Sequence, residues 1–168
     1  LEEIKEEEII TRVLEGDVDA FSHLVQKYQR RVYALGMRFF HNQADADDFV
    51  QEVFIKVFKN LSGYRGEARF YSWLMRIAYN LGIDTIRTYS AYAQMPEIDF
   101  EDSSLGPEDS AILRESSATI KQAIESLPKK YAICLDLYFS FGLKYREISS
   151  ITGIPVNTIK SHVFRAKE

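Results

Sequence analysis

Cysteine is nearly absent from this chain. Cys134 is the only one in 168 residues, so no intrachain disulfide is possible, and a reducing cytosol is the expected setting. No apolar run approaches membrane-spanning length. The amino end, LEEIKEEEII, is too acidic for a secretory leader. No nucleophile–base pair or glycine-rich phosphate loop is present, and His23, His41 and His162 lie far apart. Asp45, Asp47 and Asp48 are the one cluster that invites a metal, but such runs more often mark the start of a helix. The expectation is a protein that is not an enzyme, with no cofactor, no metal and no small-molecule substrate. Internal repeats and strand patterns are missing too.

What is present is charge, unevenly placed. The net charge of −4 looks wrong for a nucleic-acid binder, but the average conceals a division. Residues 1 to 90 carry 12 basic and 14 acidic side chains, residues 91 to 115 carry 1 and 7, and residues 116 to 168 carry 8 and 4. An acidic bridge therefore joins a near-neutral module to a basic one. The bridge, YAQMPEIDFEDSSLGPEDS, holds two prolines, little periodicity and no cation, which reads as an extended linker.

Outside the bridge the periodicity is helical. Phe21, Leu24, Tyr28, Val32, Leu35 and Phe39 recur at steps of three and four over roughly residues 18 to 40. Phe49, Val53, Phe54 and Val57 follow, opened by the acidic turn Asp45 to Asp48, which suits the positive end of a helix dipole. Gly63 and Gly66 interrupt the chain before a third helix, expected from about Phe70 to Thr88. Further helices are expected near residues 110–126, 128–140, 144–151 and 156–167. The fold class is all-α, with two small helical domains on a tether.

The last two helices carry a recognisable packing pattern. Ile148 and Ile151 point inward from the first, Ile159 and Val163 from the second, and Ser149 is small where the two must cross. Gly153 falls where the turn calls for positive φ, and Pro155 suits the start of the second helix. This is the spacing of a helix-turn-helix. Its outward residues, Asn157, Lys160, Ser161, His162, Phe164 and Arg165, are of the kind that contact base edges and phosphates in a major groove. Lys144 offers no acceptor as a helix cap.

The third helix, RFYSWLMRIAYNL, is both cationic and aromatic. Phe70, Trp73, Leu74, Ile77, Ala78 and Leu81 form an apolar stripe expected in the core. Arg69, Ser72, Arg76, Asn80 and Arg87 form a second stripe, flanked by Tyr71 and Tyr79 and preceded by Tyr64 and Arg65. Arginines track phosphates, and exposed rings stack on unpaired bases.

These segments resemble a family. DDFVQEVFIKVF, YRGEARFYSWLMRIAYN and IESLPKKYAICLDL with YREISSITGIPVNTIKSHVFRAKE are similar, in order, to the signature regions of bacterial extracytoplasmic-function sigma factors, sigma-E type. The resemblance covers about residues 8 to 88 and 110 to 168. It implies a sigma-two domain over 1–90, an acidic linker over 91–110 and a sigma-four domain over 111–168. It further implies a cytoplasmic protein that recruits core RNA polymerase to promoters. Asp48, Gln51 and Glu52 match the contact with the clamp helices of the largest polymerase subunit. The flap of the second largest subunit is a further expected partner, as is an anti-sigma factor. Arg76 and Asn80, with a loop from about Thr85 to Ala93, match the element that reads and melts minus-ten DNA. Tyr64, Arg65, Arg69 and Arg87 are placed with them, and Tyr89 and Tyr92 are stacking candidates in that loop. Lys160, Ser161, His162, Phe164 and Arg165 match the minus-thirty-five recognition helix, with Asn157 and Thr158 in the same site. Three departures bear on promoter sequence: Asn157 replaces a usual glycine, Lys144 a frequent serine or threonine, and His162 a frequent arginine.

Two other classes compete. A stand-alone helix-turn-helix regulator would explain residues 128 to 167 but would leave DDFVQEVFIKVF and the aromatic helix without a task. The enzyme reading lacks a reactive constellation. The chain begins at Leu1 rather than Met and stops soon after the recognition residues, so a longer natural chain is expected.

Overall fold

Short connections decide how the first unit is wound. The computed structural model describes residues 5–93 and 129–165, with side chains at 5–89 and 134–164. Among them are seven α-helices and no strand, and the chain divides into two units. The first unit contains α1 (Glu6–Leu14), α2 (Phe21–Phe40), α3 (Gln43–Asn60) and α4 (Phe70–Ala93). Helix α2 ends at His41, whose left-handed φ of 57° and N–H bond to the Met37 carbonyl close the last turn. Asn42 then caps α3, its side-chain oxygen accepting the Asp45 N–H at 2.8 Å. A connection this short makes α2 and α3 close neighbours. The acidic turn lies where it was expected, although α3 starts at Gln43, just ahead of it.

The helices approach closely at two glycines. A Cβ on Gly36 would sit 2.9 Å from the Phe49 ring and 3.2 Å from the Ala46 backbone, so α2 meets α3 there. A Cβ on Gly82 would sit 2.3 Å from the Phe39 ring, which fixes the approach of α2 and α4. Around these crossings Leu24, Val32, Leu35, Phe39, Ala46, Val53, Val57, Phe70, Leu74, Met75 and Ala78 are buried. Each large member contributes about 1.5–3 kcal/mol through removal from water.

Helix α1 has no counterpart among the helices expected from periodicity. Ile9, Ile10 and Val13 anchor it, and Glu6 ties it to α2 by accepting from the Tyr28 hydroxyl and from Lys27, whose Nζ lies 2.7 Å away. Burial alone would raise the Glu6 carboxyl, but these hydrogen bonds more than offset it and hold it below its usual value. The tie is therefore complete above the ordinary carboxylate range and weakens as pH falls through it.

The second unit contains α5 (Lys129–Phe139), α6 (Tyr145–Thr152) and α7 (Val156–Arg165). Cys134, Leu135, Leu137, Phe141, Leu143, Ile148, Ile151, Ile159 and Val163 form its core. Burial pushes the Cys134 thiol up to about 11, so it is an inert apolar group at neutral pH. Gly153 has φ 74°, and its N–H bonds to the Ser149 carbonyl at 2.9 Å, closing α6 as the spacing predicts. Lys144 gives α6 no side-chain cap; its own N–H donates instead to the Glu147 carboxylate at 2.6 Å.

Three expectations are corrected. Residues 85–93 are the last turns of α4 and not a loop, because no glycine or proline interrupts the chain between Gly82 and Ala93. Ser72 is buried instead of lying on the polar stripe. Trp73 is only half-buried, while Met75 takes the central core position. The expected helix near 110–126 and the acidic linker lie outside the described residues.

The Gly82 approach generates a direct test. Gly82→Ala should destabilise the chain by about 1–3 kcal/mol, the cost of overpacking a filled site, seen as a lower Tm by circular dichroism. Phe39→Leu in the same chain should recover part of that loss. An unchanged Tm in Gly82→Ala would contradict the close approach.

Candidate functional site

Helix α3 uses one face for the core and leaves the other bare. Asp48, Gln51 and Glu52 are exposed on the face opposite Phe49, Val53 and Val57. Ile55 lies one turn further along that outer row and is 53% exposed. Phe58 is also exposed, with one edge of its ring against Phe21, 5.1 Å between centroids. Exposed apolar side chains rimmed by polar ones are the composition of a docking surface. Ile55 is not among the residues singled out from the sequence, yet its signal is there: it falls out of phase with the buried positions 49, 53 and 57.

Helix α4 separates its chemistry by rows. Leu74, Ala78 and Leu81 are buried, while Arg76, Asn80 and Arg87 are exposed on the opposite side at steps of four and seven. Arg65 and Arg69 are exposed in the segment leading into the helix. Tyr64 is half-buried, its hydroxyl donating to the Ala68 carbonyl at 2.7 Å. Desolvation and the carboxylates of Glu6 and Glu7 push that hydroxyl above its ordinary value, so it stays neutral. Trp73 packs on Tyr64 and Phe70, with centroids 5.3 and 5.8 Å apart, and is half-buried on the helical row next to that of Arg76 and Asn80. These side chains therefore form one cationic surface with an aromatic edge.

The tyrosines flanking that surface are engaged by α2. Tyr71 stacks on Tyr28 at 5.5 Å, and the Arg31 guanidinium lies 5.3 Å over its outer face. Tyr79 lies against Phe39 at 6.0 Å. Tyr89 is 59% exposed, but on the helix and not in a loop. Tyr92 lies beyond the described side chains.

In the second unit, Pro155 precedes α7 and its carbonyl accepts the Ile159 N–H at 3.1 Å. Ile159 and Val163 turn inward. Asn157, Lys160, Ser161 and Phe164 are exposed at steps of three and four, which places them on one outward stripe. Phe164, 65% exposed, has no core to fill. Ser161 donates its hydroxyl to the Asn157 carbonyl at 2.9 Å. Thr158 and His162 are half-buried on the flank, so His162 is not part of the outward stripe. The periodicity explains this, because position 162 lies three residues beyond the buried Ile159. Arg165 closes α7, and its side chain lies outside the described ones.

Among the described residues no group of three or more His, Cys, Asp or Glu could hold a metal. No described helix is long and apolar enough to cross a membrane.

Comparison with known proteins agrees with this geometry. Residues 24–92 match the family description Sigma-70 region 2, and residues 117–168 match Sigma-70, region 4. The chain is 33% identical to the RNA polymerase sigma-H factor of Pseudomonas aeruginosa, covering 98% of this chain and 91% of that one. It is also 33% identical to the ECF RNA polymerase sigma-E factor of Escherichia coli, covering 99% and 93%. The fold is shared with the sigma factor RpoE solved with the anti-sigma factor NepR from Bartonella quintana (TM-score 0.68, 21% identity, 88% of this chain and 91% of that one). It is shared also with CnrH solved with the cytosolic domain of CnrY (TM-score 0.65, 19% identity, 95% and 90%). Two signature regions in order, and relatives matched over nearly their whole length, show that the chain belongs to the extracytoplasmic-function sigma factors, which direct promoter-specific transcription initiation by RNA polymerase.

Proposed function

We propose that the three faces divide the work of initiation. Residues 1–90 act as the sigma-two module and 111–168 as the sigma-four module, with the acidic residues 91–110 as the tether between them. Asp48, Gln51 and Glu52, with Ile55 among them, dock on the clamp helices of the largest polymerase subunit. Tyr64, Arg65, Arg69, Arg76, Asn80 and Arg87 hold minus-ten DNA. Asn157, Thr158, Lys160, Ser161, His162, Phe164 and Arg165 form the minus-thirty-five site, with His162 and Thr158 supporting its flank. The second module meets the flap of the second largest subunit. An anti-sigma factor is a further partner, as the related sigma factor RpoE was solved with one. The chain works in the cytoplasm and contributes binding energy and strand opening, while the polymerase core performs catalysis.

The observation that carries this reading is the α4 surface. Arg76, Asn80 and Arg87 share an exposed row next to the half-buried Trp73. Unstacking a base costs a few kcal/mol, and a surface that supplies both phosphate contacts and an aromatic edge can offset it. A stand-alone operator-binding regulator has no use for such a surface.

Two experiments test the division. Arg76→Ala and Asn80→Ala should each slow open-complex formation on duplex promoters about tenfold, the worth of one charge-assisted hydrogen bond. Both should be near wild type on templates already mismatched across the minus-ten, with permanganate footprinting of unpaired thymines as the readout. Equal defects on both templates would leave these residues binding DNA without opening it. Separately, the double change Gln51→Ala, Glu52→Ala should weaken core binding with helical content unchanged. Ile55→Ala should cost about 1–2 kcal/mol more if that side chain is buried on docking. Undiminished core binding in both variants would move the docking surface elsewhere.

A further inference from the structure

Helix α2 is cationic to a degree that its packing does not require. Its twenty residues, Phe21–Phe40, contain no Asp or Glu, but they include Lys27, Arg30, Arg31 and Arg38. Positions 27, 31, 34 and 38 follow one another at steps of four, three and four, so Lys27, Arg31 and Arg38 share one flank of the helix, over about 16 Å at the rise of an α-helix, with Arg30 about 100° round from Arg31. A surface helix ordinarily mixes both signs, because unscreened like charges along one face repel. Lys27 is engaged by Glu6 on α1. Arg30 and Arg31 are exposed.

The flank is continuous with the α4 surface. Tyr28 meets Phe70 and Tyr71 at the start of α4, and eleven residues further along α2 Phe39 meets Tyr79 and Gly82. The two helices therefore run side by side in the same direction. Helices in such contact have axes about 8–10 Å apart. Arg31 reaches across the seam: its guanidinium covers the Tyr71 ring, and Nη1 donates toward the Tyr71 hydroxyl at 3.5 Å. Tyr71 and Tyr79 form the seam, and the row holding Arg76 and Asn80 is the next row on its far side.

We infer that Arg31 binds a phosphate of the same promoter DNA that the α4 row holds, so that the nucleic-acid surface is two helices wide. This rests on the assignment of α4 to minus-ten DNA. A guanidinium stacked on a ring is held in a fixed plane with its outer N–H groups free to meet phosphate oxygens. The tyrosine seam between the cation rows suits the sugar and base side of a strand whose phosphates lie to either side.

The test is the salt dependence of binding by the reconstituted holoenzyme. The probe is a fluorescein-labelled duplex promoter recovered by transcription from a random library, titrated between about 50 and 300 mM potassium chloride, a range over which phosphate neutralisation is read out. Arg31→Gln should make the slope of log K against log salt shallower by about 1, the worth of one phosphate left without its arginine. Arg31→Lys should keep the slope near wild type, and so should Arg30→Gln, which removes a cation from the side of α2 turned away from α4. Core binding is measured in parallel, with Arg76→Ala as the reference for the α4 row. An unchanged slope in Arg31→Gln, with Arg76→Ala still weakened, would overturn the inference and leave α4 as the whole surface. Loss of core binding with an unchanged slope would also overturn it, making the flank a polymerase contact. If Arg76→Ala is without effect as well, the assignment of α4 itself fails.

Discussion

The Phe39 ring against Gly82 fixes the rotation of α4 about its own axis. Because Gly82 has no side chain, α4 can settle directly onto that ring, and Phe49 and Tyr79 close around it, 6.1 and 6.0 Å away. Once that contact is made, Leu74, Ala78 and Leu81 turn inward and Arg76, Asn80 and Arg87 turn outward. The chemistry of the surface follows from a steric match beneath it. The same contact aligns α2 alongside α4, which is why Arg31 can lie over Tyr71.

The second unit applies the same logic in smaller compass. Ile148, Ile151, Ile159 and Val163 bury one side of two short helices, and Gly153 takes the backbone conformation that lets the chain turn between them. What remains outward on α7 is a stripe with no structural duty. An aromatic ring left 65% exposed there is difficult to explain by folding and simple to explain by contact with a base edge. The negative excess of the chain is concentrated in the acidic bridge, so the net charge of −4 says little about what the cationic faces bind.

Much of the fold is legible in the sequence because the helices are amphipathic and the turns are marked. Phe21 to Phe39 and Ile148 to Val163 repeat at helical spacing, and Gly153 and Pro155 punctuate the helix-turn-helix. The failures have physical causes. Helix α1 escapes notice because Ile9, Ile10 and Val13 make only a short apolar row inside an acidic run. The end of α4 reads as a loop only when a family pattern is carried across residues 85–93, whose own composition contains no helix breaker. Trp73 suggests a core position by its size, although Met75 fits the central position and leaves the indole at the rim. Polarity places Ser72 and His162 on the outer stripes, whereas helical phase puts one in the core and the other on the flank. The glycine contacts are invisible in sequence because a close approach depends on what the partner helix presents.

The central claim is that this chain confers promoter choice on a polymerase that lacks it. The most direct measurement is transcription by core RNA polymerase from a randomised promoter library, with and without the purified chain. The account predicts transcripts that start downstream of two short shared elements, one near minus-ten and one near minus-thirty-five, only when the chain is present. Identical transcripts with and without it, or tight binding of the isolated chain to one duplex with no effect on initiation, would contradict it.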